Sequence, residues 1–398
     1  MNLYGHFWYD KRMDWNFQGE AGHYRMRQGK EVYGLIEAIR GNLAKAVVGK
    51  EEGIELLLCA LLADGHVLLE DVPGTGKTLL AKALARSLDC SFSRIQFTPD
   101  LLPSDVSGIN YYNQKTGEFE FRPGPVFAGI LLADEINRAT PRTQSSLLEC
   151  MEERQVTVDG VSRPLGSPFL VIATQNPVDN QGTFPLPEAQ LDRFMMRIMT
   201  GYPSHEEAVE ILERFGAADP LRELQPAATA EAVQAAQAEA AAVRVSTELM
   251  AYIVRIAEAT RTHPLVRLGA SPRASAALLR ASRALALVRG REYVTPDDIK
   301  TAAVPVLAHR LVLSHGAQVR AADPAQIVRD VLAGIEVPAE TAKTAEKVGA
   351  AGTRGTGKTV KNAESAGTEA NVGTAKNLET AGTAKTTETA SGLLQGAE

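Results

Sequence analysis

The sequence predicts an α/β protein built on a mainly parallel sheet, followed by a helical second domain and a low-complexity tail. Between residues 35 and 200, short apolar runs alternate with helical patterns, the signature of buried strands linked by crossover helices. From 201 to 335 the pattern is helical and alanine-rich, and Ser271-Pro272 and Thr295-Pro296 each set a capping hydroxyl before a proline at a helix start. From 336 to 398 the chain repeats Ala-Gly-Thr and Gly-Thr-Ala-Lys and holds no Ile, Phe, Tyr or Trp. Such a segment cannot bury enough surface to offset its ordering entropy, so disorder is expected there. Residues 1 to 34 carry both tryptophans, Trp8 and Trp15, without a sustained period, and read as an N-terminal extension.

Composition narrows the class. The 398 residues are 44% hydrophobic and 23% charged, the balance of a soluble globular chain. No apolar run reaches the roughly 20 residues that span a bilayer, and the start lacks the basic flank and apolar stretch of a signal peptide. Three cysteines, Cys59, Cys90 and Cys150, lie in apolar segments without metal-ligand spacing, which suits a reducing cytoplasm. With 48 acidic residues against 42 basic ones, the net charge of −6 argues against a nucleic-acid backbone as the main substrate.

The chemistry begins at Val67-Leu68-Leu69-Glu70, a short buried strand, followed by Asp71-Val72-Pro73-Gly74-Thr75-Gly76-Lys77-Thr78 and then Leu80, Leu84 and Leu88 at helical spacing. Strand, glycine loop and helix form the context of a P-loop. Gly74 and Gly76 allow successive backbone N–H groups to turn toward phosphate, Lys77 supplies a cation for the β- and γ-phosphates, and Thr78 offers a hydroxyl to Mg²⁺. A stricter string match, Gly352-Thr353-Arg354-Gly355-Thr356-Gly357-Lys358-Thr359, lies in the tail with no strand before it and no amphipathic helix after it. The physical context selects the first site.

Two more strands point the same way. Ile130-Leu131-Leu132-Ala133 ends in Asp134-Glu135, placing two carboxylates where parallel α/β sheets bind ligands. Asp134 is expected to hold Mg²⁺ and Glu135 to deprotonate the attacking water, although an acidic pair here can also be a plain helix cap. Phe169-Leu170-Val171-Ile172-Ala173-Thr174-Gln175-Asn176-Pro177 delivers Asn176 toward the γ-phosphate, or merely into a turn before proline.

Together these motifs resemble the AAA+ superfamily and, within it, the MoxR family, over roughly residues 36 to 335. Asp71 to Thr78 looks like the Walker A motif, Leu132 to Arg138 like Walker B, and Ala173 to Pro177 like sensor 1. Pro187-Glu188-Ala189-Gln190-Leu191-Asp192-Arg193-Phe194 resembles the arginine-finger segment, and Gly269-Ala270-Ser271-Pro272-Arg273 resembles sensor 2. The resemblance implies a five-stranded sheet in an AAA+ domain, with an insert in the second helix (Gln96 to Gly124) and a hairpin before sensor 1 (Val156 to Arg163 around Asp159-Gly160). It implies ATP and Mg²⁺ as ligands, with nucleotide contacts at Val48, Gly49 and Pro73 through Leu79, metal contacts at Thr78 and Asp134, and catalytic roles for Lys77, Glu135, Asn176, Arg193 and Arg273.

ATP is then expected between the αβα domain and the helical lid, with Arg273 reporting on the γ-phosphate from the lid. Arg193 is expected to act on the neighbouring subunit of a ring, a hexamer by the resemblance, unless it simply pairs with Asp192. The implied role is a chaperone that remodels or matures a protein client, including metal-cofactor insertion, with a von Willebrand factor A domain partner. The rival readings are a nucleic-acid motor, disfavoured by charge, and a nucleotide-gated scaffold, disfavoured by the intact catalytic set.

Overall fold

The computed structural model describes residues 20–70, 74–175, 182–215, 220–319 and 321–338. The expected tail with its second P-loop-like string, and the tryptophans of the N-terminal extension, lie outside these residues. In chain order the first part comprises α1 (Glu20–Ala46), α2 (Glu51–Leu62), β1 (Val67–Glu70), α3 (Lys77–Ser87), β2 (Phe92–Gln96), α4 (Pro103–Ser107), β3 (Gly108–Asn113), β4 (Glu118–Pro123), β5 (Ile130–Asp134) and α5 (Pro141–Glu153). There follow β6 (Gln155–Val158), β7 (Val161–Pro164), β8 (Leu170–Gln175), α6 (Glu188–Leu191) and β9 (Met196–Ile198). The helical part holds α7 (His205–Phe215), α8 (Pro220–Glu223), α9 (Ala230–Ala242), α10 (Thr247–Thr262), β10 (Val266–Leu268), α11 (Pro272–Val288), α12 (Pro296–Leu307), β11 (Val312–Leu313), α13 (His315–Val319) and α14 (Pro324–Gly334).

The central sheet has five strands in the order β2-β5-β8-β1-β9, all parallel. Its strands alternate between two cores, because successive side chains leave a strand on opposite faces. Val67 and Leu69, Ile130 and Leu132, and Leu170 and Ile172 pack with the helices α1, α2 and α3. Leu68, Leu131, Ala133, Val171 and Ala173 face the other way, against Leu147, Leu148 and Met151 of α5, Val106 of the insert and Val126 just after it. Burial on both faces is what makes these strands read as unbroken apolar runs.

Helix α1 crosses the sequence boundary at residue 34 and buries a stripe of Val32, Ile36, Ile39 and Leu43 at helical spacing. The hairpin of the insert and the hairpin that precedes β8 stand side by side. Strands β3 and β4 pair antiparallel, as do β6 and β7, and the latter turn at Asp159 and Gly160 with φ of +51° and +78°, both positive as a type I′ turn requires. Asn110 donates to Asp159 at 2.6 Å and the Arg163 guanidinium lies 3.9 Å from the Phe121 ring centroid, so the hairpins brace each other.

Helix α11 runs antiparallel to α2. Glu55, one turn into α2, takes both arms of Arg289 near the end of α11 at 3.0 and 3.1 Å, while Cys59 donates to the Ala281 carbonyl at 3.2 Å. Small residues on α11 (Ala274, Ala277, Ala281, Ala284) permit this close approach, and Asp298, fully buried at the start of α12, ties Arg289 and Arg291 to the same corner. One apolar cluster therefore runs from the sheet through α2 into the lid helices. Burial pushes the Cys150 thiol up to about 12 and raises that of Cys59, so both act as inert core groups.

Candidate active site

The carboxyl edge of the sheet gathers the phosphate-binding and acidic residues. Beyond β1, Gly74 and Gly76 both adopt φ of +85°, and Gly76 caps α3, whose first residue is Lys77. Nothing stands within 4 Å of where a Cβ would project at either glycine, so it is the backbone conformation, and not crowding, that selects glycine there. Lys77, Thr78 and Leu79 are half-buried in the first turn, where unsatisfied backbone N–H groups and the helix dipole favour an anion. Pro73 and Asn176 lie outside the described residues.

The register of the parallel strands does the rest. Gln96 of β2 lies opposite Asp134 of β5, and Ala133 lies opposite Ala173 of β8, which brings Thr174 alongside Asp134. The Thr174 hydroxyl, almost fully buried, donates to Asp134 Oδ1 at 2.6 Å and accepts from the Glu135 backbone N–H at 2.8 Å. Asp134 Oδ2 receives Arg94 Nη2 at 2.6 Å from the edge strand. Glu135 sits in the left-handed region at φ of +55°, a conformation that turns its side chain away from the strand line, and Gln96 Nε2 donates to its Oε2 at 2.6 Å. Arg138 Nε meets the same oxygen at 3.2 Å.

The residues present fit Mg²⁺. A threonine hydroxyl at the helix start and one carboxylate are a hard, all-oxygen donor pair of the kind that shares Mg²⁺ with phosphate oxygens and water. Among the described residues there is no cluster of three or more His, Cys, Asp or Glu that would instead form an all-protein metal cage.

Val48 and Gly49, the residues expected to contact nucleotide, lie in the α1–α2 loop. A side chain at residue 49 would collide with Glu207 of α7, whose Cδ would lie 2.1 Å from the added carbon, and Lys50 anchors the same corner by donating to the Thr200 and Gly201 carbonyls at 2.9 and 2.7 Å.

The two arginines expected at the γ-phosphate lie at the other edge of the sheet. Because α11 runs antiparallel to α2, its first turn, with Arg273, arrives beside Asp64, just before β1 begins. β1 alone puts roughly 13 Å between that point and the phosphate loop. Arg273, expected to read the γ-phosphate from the lid, forms an ion pair with Glu152 at the end of α5 and borders the same cleft as Arg193. Arg193 has not been taken up by its neighbour Asp192. That carboxylate is bound instead by Arg310, at 2.6 Å, whose guanidinium also donates to the Phe194 and Met195 carbonyls at 2.7 and 3.1 Å. Arg310 thus fastens the segment Asp192 to Met195.

Sequence reading had no signal for Arg94, Gln96, Thr174 or Arg310 as site residues. Each acquires its role from strand register or from a contact across more than a hundred residues of chain, as with Arg310 and Asp192.

Comparison with known proteins identifies the family of the fold. Residues 66–196 match the family model described as ATPase family associated with various cellular activities (AAA), and residues 258–331 match an AAA lid domain. The chain is 45% identical to Chaperone MoxR1 of Mycobacterium tuberculosis over 77% of this chain and 83% of that protein, and 36% identical to Protein MoxR of Methylorubrum extorquens over 74% and 91%. It is 48% identical to the uncharacterised protein YeaC of Bacillus subtilis over 79% and 98%. Among solved structures, one from Cytophaga hutchinsonii assigned as an ATPase superposes with a TM-score of 0.76 at 39% identity, covering 81% of this chain and all of that one. Fold and site together define an AAA+ ATPase. The chain belongs to the MoxR family of these proteins.

Proposed function

We propose that the protein hydrolyses ATP in a closed ring of head-to-tail copies, a hexamer by family resemblance, and uses the cycle to remodel or mature a protein complex. The single observation that supports this reading is the division of the catalytic set between two edges of the sheet. Lys77, Thr78, Asp134 and Glu135 stand at the carboxyl edge, and Arg193 and Arg273 at the amino edge. One chain then carries two complementary half-sites facing opposite ways, and heterologous contacts between such surfaces generate rings when the rotation closes.

In this reading the backbone of Gly74 to Gly76 and the Lys77 ammonium hold the β- and γ-phosphates. Thr78 and Asp134 hold Mg²⁺, which neutralises charge on the phosphate oxygens when bound. Glu135, steadied by Gln96 and Arg138, takes a proton from the water. The water oxygen bonds to the γ-phosphorus as the bond to the β,γ-bridging oxygen breaks, giving ADP and phosphate. Arg193 of the adjacent copy supplies positive charge to the transition state, and Arg273 exchanges Glu152 for phosphate. Asn176 is assigned, from its sequence motif, to position the water. The aromatic tip of the β3–β4 hairpin, with Tyr112 and Phe119 half and three-quarters exposed, is the surface offered to a client or to a von Willebrand factor A domain partner. No helix among the described residues is long and apolar enough to cross a membrane, and we place the work in the cytoplasm.

The test is specific ATPase activity against protein concentration for wild type and Arg193→Ala. A rate that climbs with concentration in the wild type and stays flat and low in the variant supports a shared site. A rate indifferent to both concentration and Arg193 rejects it.

A further inference from the structure

The cleft at the amino edge of the sheet, about 310 Å³, is bordered by five arginines and three carboxylates. Most of these charges cancel locally. Arg154 pairs with Asp64 at 3.0 Å, Arg310 with Asp192 at 2.6 Å, and Arg273 with Glu152. His66, the remaining titratable group, is neutral: its Nδ1 accepts the Val171 N–H at 3.0 Å, which leaves Nε2 to donate to the Met151 carbonyl at 3.2 Å. Two guanidinium groups are left over, those of Arg193 and Arg280, and neither has a hydrogen bond or ion pair with any described residue.

Arg280 follows Arg273 by seven residues on α11, two helical turns, and so projects from the same face into the same cleft. Partial loss of hydration among the packed neighbours already holds its pKa below the usual arginine value, with Asp64 opposing and Arg273 reinforcing the shift. An unpaired cation beside a second unpaired cation, in a recess of this size, is an arrangement that an incoming polyanion relieves and an empty cleft does not.

We propose that Arg280 is a further catalytic residue: together with Arg193 it binds the terminal phosphates of ATP held in the P-loop of the neighbouring copy. The assignment rests on the head-to-tail reading above and adds to it a second free cation, distinct from Arg273, which must give up Glu152 before it can reach phosphate. An ATP-loaded carboxyl edge presents a concentrated negative charge, and this cleft is the part of the opposite edge with a surplus of two positive charges to meet it. Arg280 is exposed and makes no hydrogen bond or ion pair with a described residue, so its replacement is expected to leave the fold intact.

The experiment measures steady-state hydrolysis by the full chain as Arg280→Ala, Arg280→Lys and Arg193→Ala, each alone and each mixed with Glu135→Gln. Arg280→Ala should lower kcat by roughly 10²-fold, as loss of one charge-stabilising donor does, while binding a fluorescent ATP analogue normally; Arg280→Lys should recover part of the rate. Mixing Arg280→Ala with Glu135→Gln, both nearly inactive, should restore hydrolysis, because the Glu135→Gln copy lends intact arginines to its neighbour's intact glutamate. Wild-type kcat in Arg280→Ala, or no recovery on mixing while Arg193→Ala does recover, overturns the role of Arg280 and leaves the ring reading standing. If Arg193→Ala itself keeps full activity, the shared-site reading fails and Arg280 falls with it.

Discussion

The Thr174 hydroxyl bridges Asp134 and the following residue, donating to the Asp134 carboxylate at 2.6 Å while accepting the Glu135 N–H at 2.8 Å. It fixes both the direction of the Asp134 carboxylate and the left-handed turn at Glu135. Thr174→Val keeps the shape and removes the bridge. A hydrogen bond to a charged group is worth about 1.5–3 kcal/mol, so kcat should fall between about 10- and 100-fold, with Thr174→Ser retaining most of the rate. Unchanged hydrolysis in the valine variant would show that strand register alone aims the pair.

Glu135→Gln keeps the Gln96 contact's geometry while abolishing the base. A general base contributes about 10²–10⁴-fold, so this variant should bind ATP, assemble, and turn over by that factor more slowly. Lys77→Ala should fail earlier, at nucleotide binding. Equilibrium binding of labelled ATP to the two variants separates the steps; equal affinity in both removes Lys77 from the phosphate cradle.

Arg310 is nearly buried and joins Asp192 to the carbonyls of Phe194 and Met195. Arg310→Ala leaves the partly buried Asp192 carboxylate with only the longer 4.0 Å contact to Arg273, a loss below the roughly 3–5 kcal/mol of a fully buried pair broken outright. Chemical denaturation should register that loss, and the double variant Arg310→Ala with Asp192→Asn should regain part of it. No recovery would mean that the carbonyl contacts, and not the ion pair, hold the finger segment.

Two buried histidines predict the acid sensitivity of the fold. Burial pushes His66 down to about 3 and His309 well below its usual value, so both stay neutral in the folded chain while the unfolded chain protonates them below about 6.5. Their contribution is complete above that pH and declines as pH falls toward the folded values, by about 1.4 kcal/mol per pH unit for each histidine. Urea unfolding at pH 7.5, 6.0 and 5.0 should show this slope, and His66→Gln should flatten it. A slope equal to wild type in that variant would assign the acid response elsewhere.

Much of this was legible in the order of residues. Val67–Glu70 followed by two glycines and Lys77 can form only a strand, an anion-binding turn and a helix, because apolar run length, positive-φ demand and helical spacing are local properties. Asp134 and Glu135 at the end of an apolar strand were legible for the same reason, as was the Asp159-Gly160 turn. Local pattern carried no information on which strands lie side by side. The order β2-β5-β8-β1-β9 is what places Arg94 and Gln96 against Asp134 and Glu135, and Thr174 between them. Nor could it say at which end of the sheet a lid arginine would arrive.

The sequence by itself determined that this chain builds a nucleotide-binding α/β core and a helical lid, and which residues are chemically equipped for phosphate, metal and water. Tertiary structure alone decided how that equipment is divided. Helix α11 lies antiparallel on α2 through small residues and the Glu55–Arg289 pair, and this packing carries Arg273 and Arg280 to the edge opposite their own P-loop. Side-chain identity sets what a group can do; the packing of helices far apart in sequence sets which edge of the sheet it can reach.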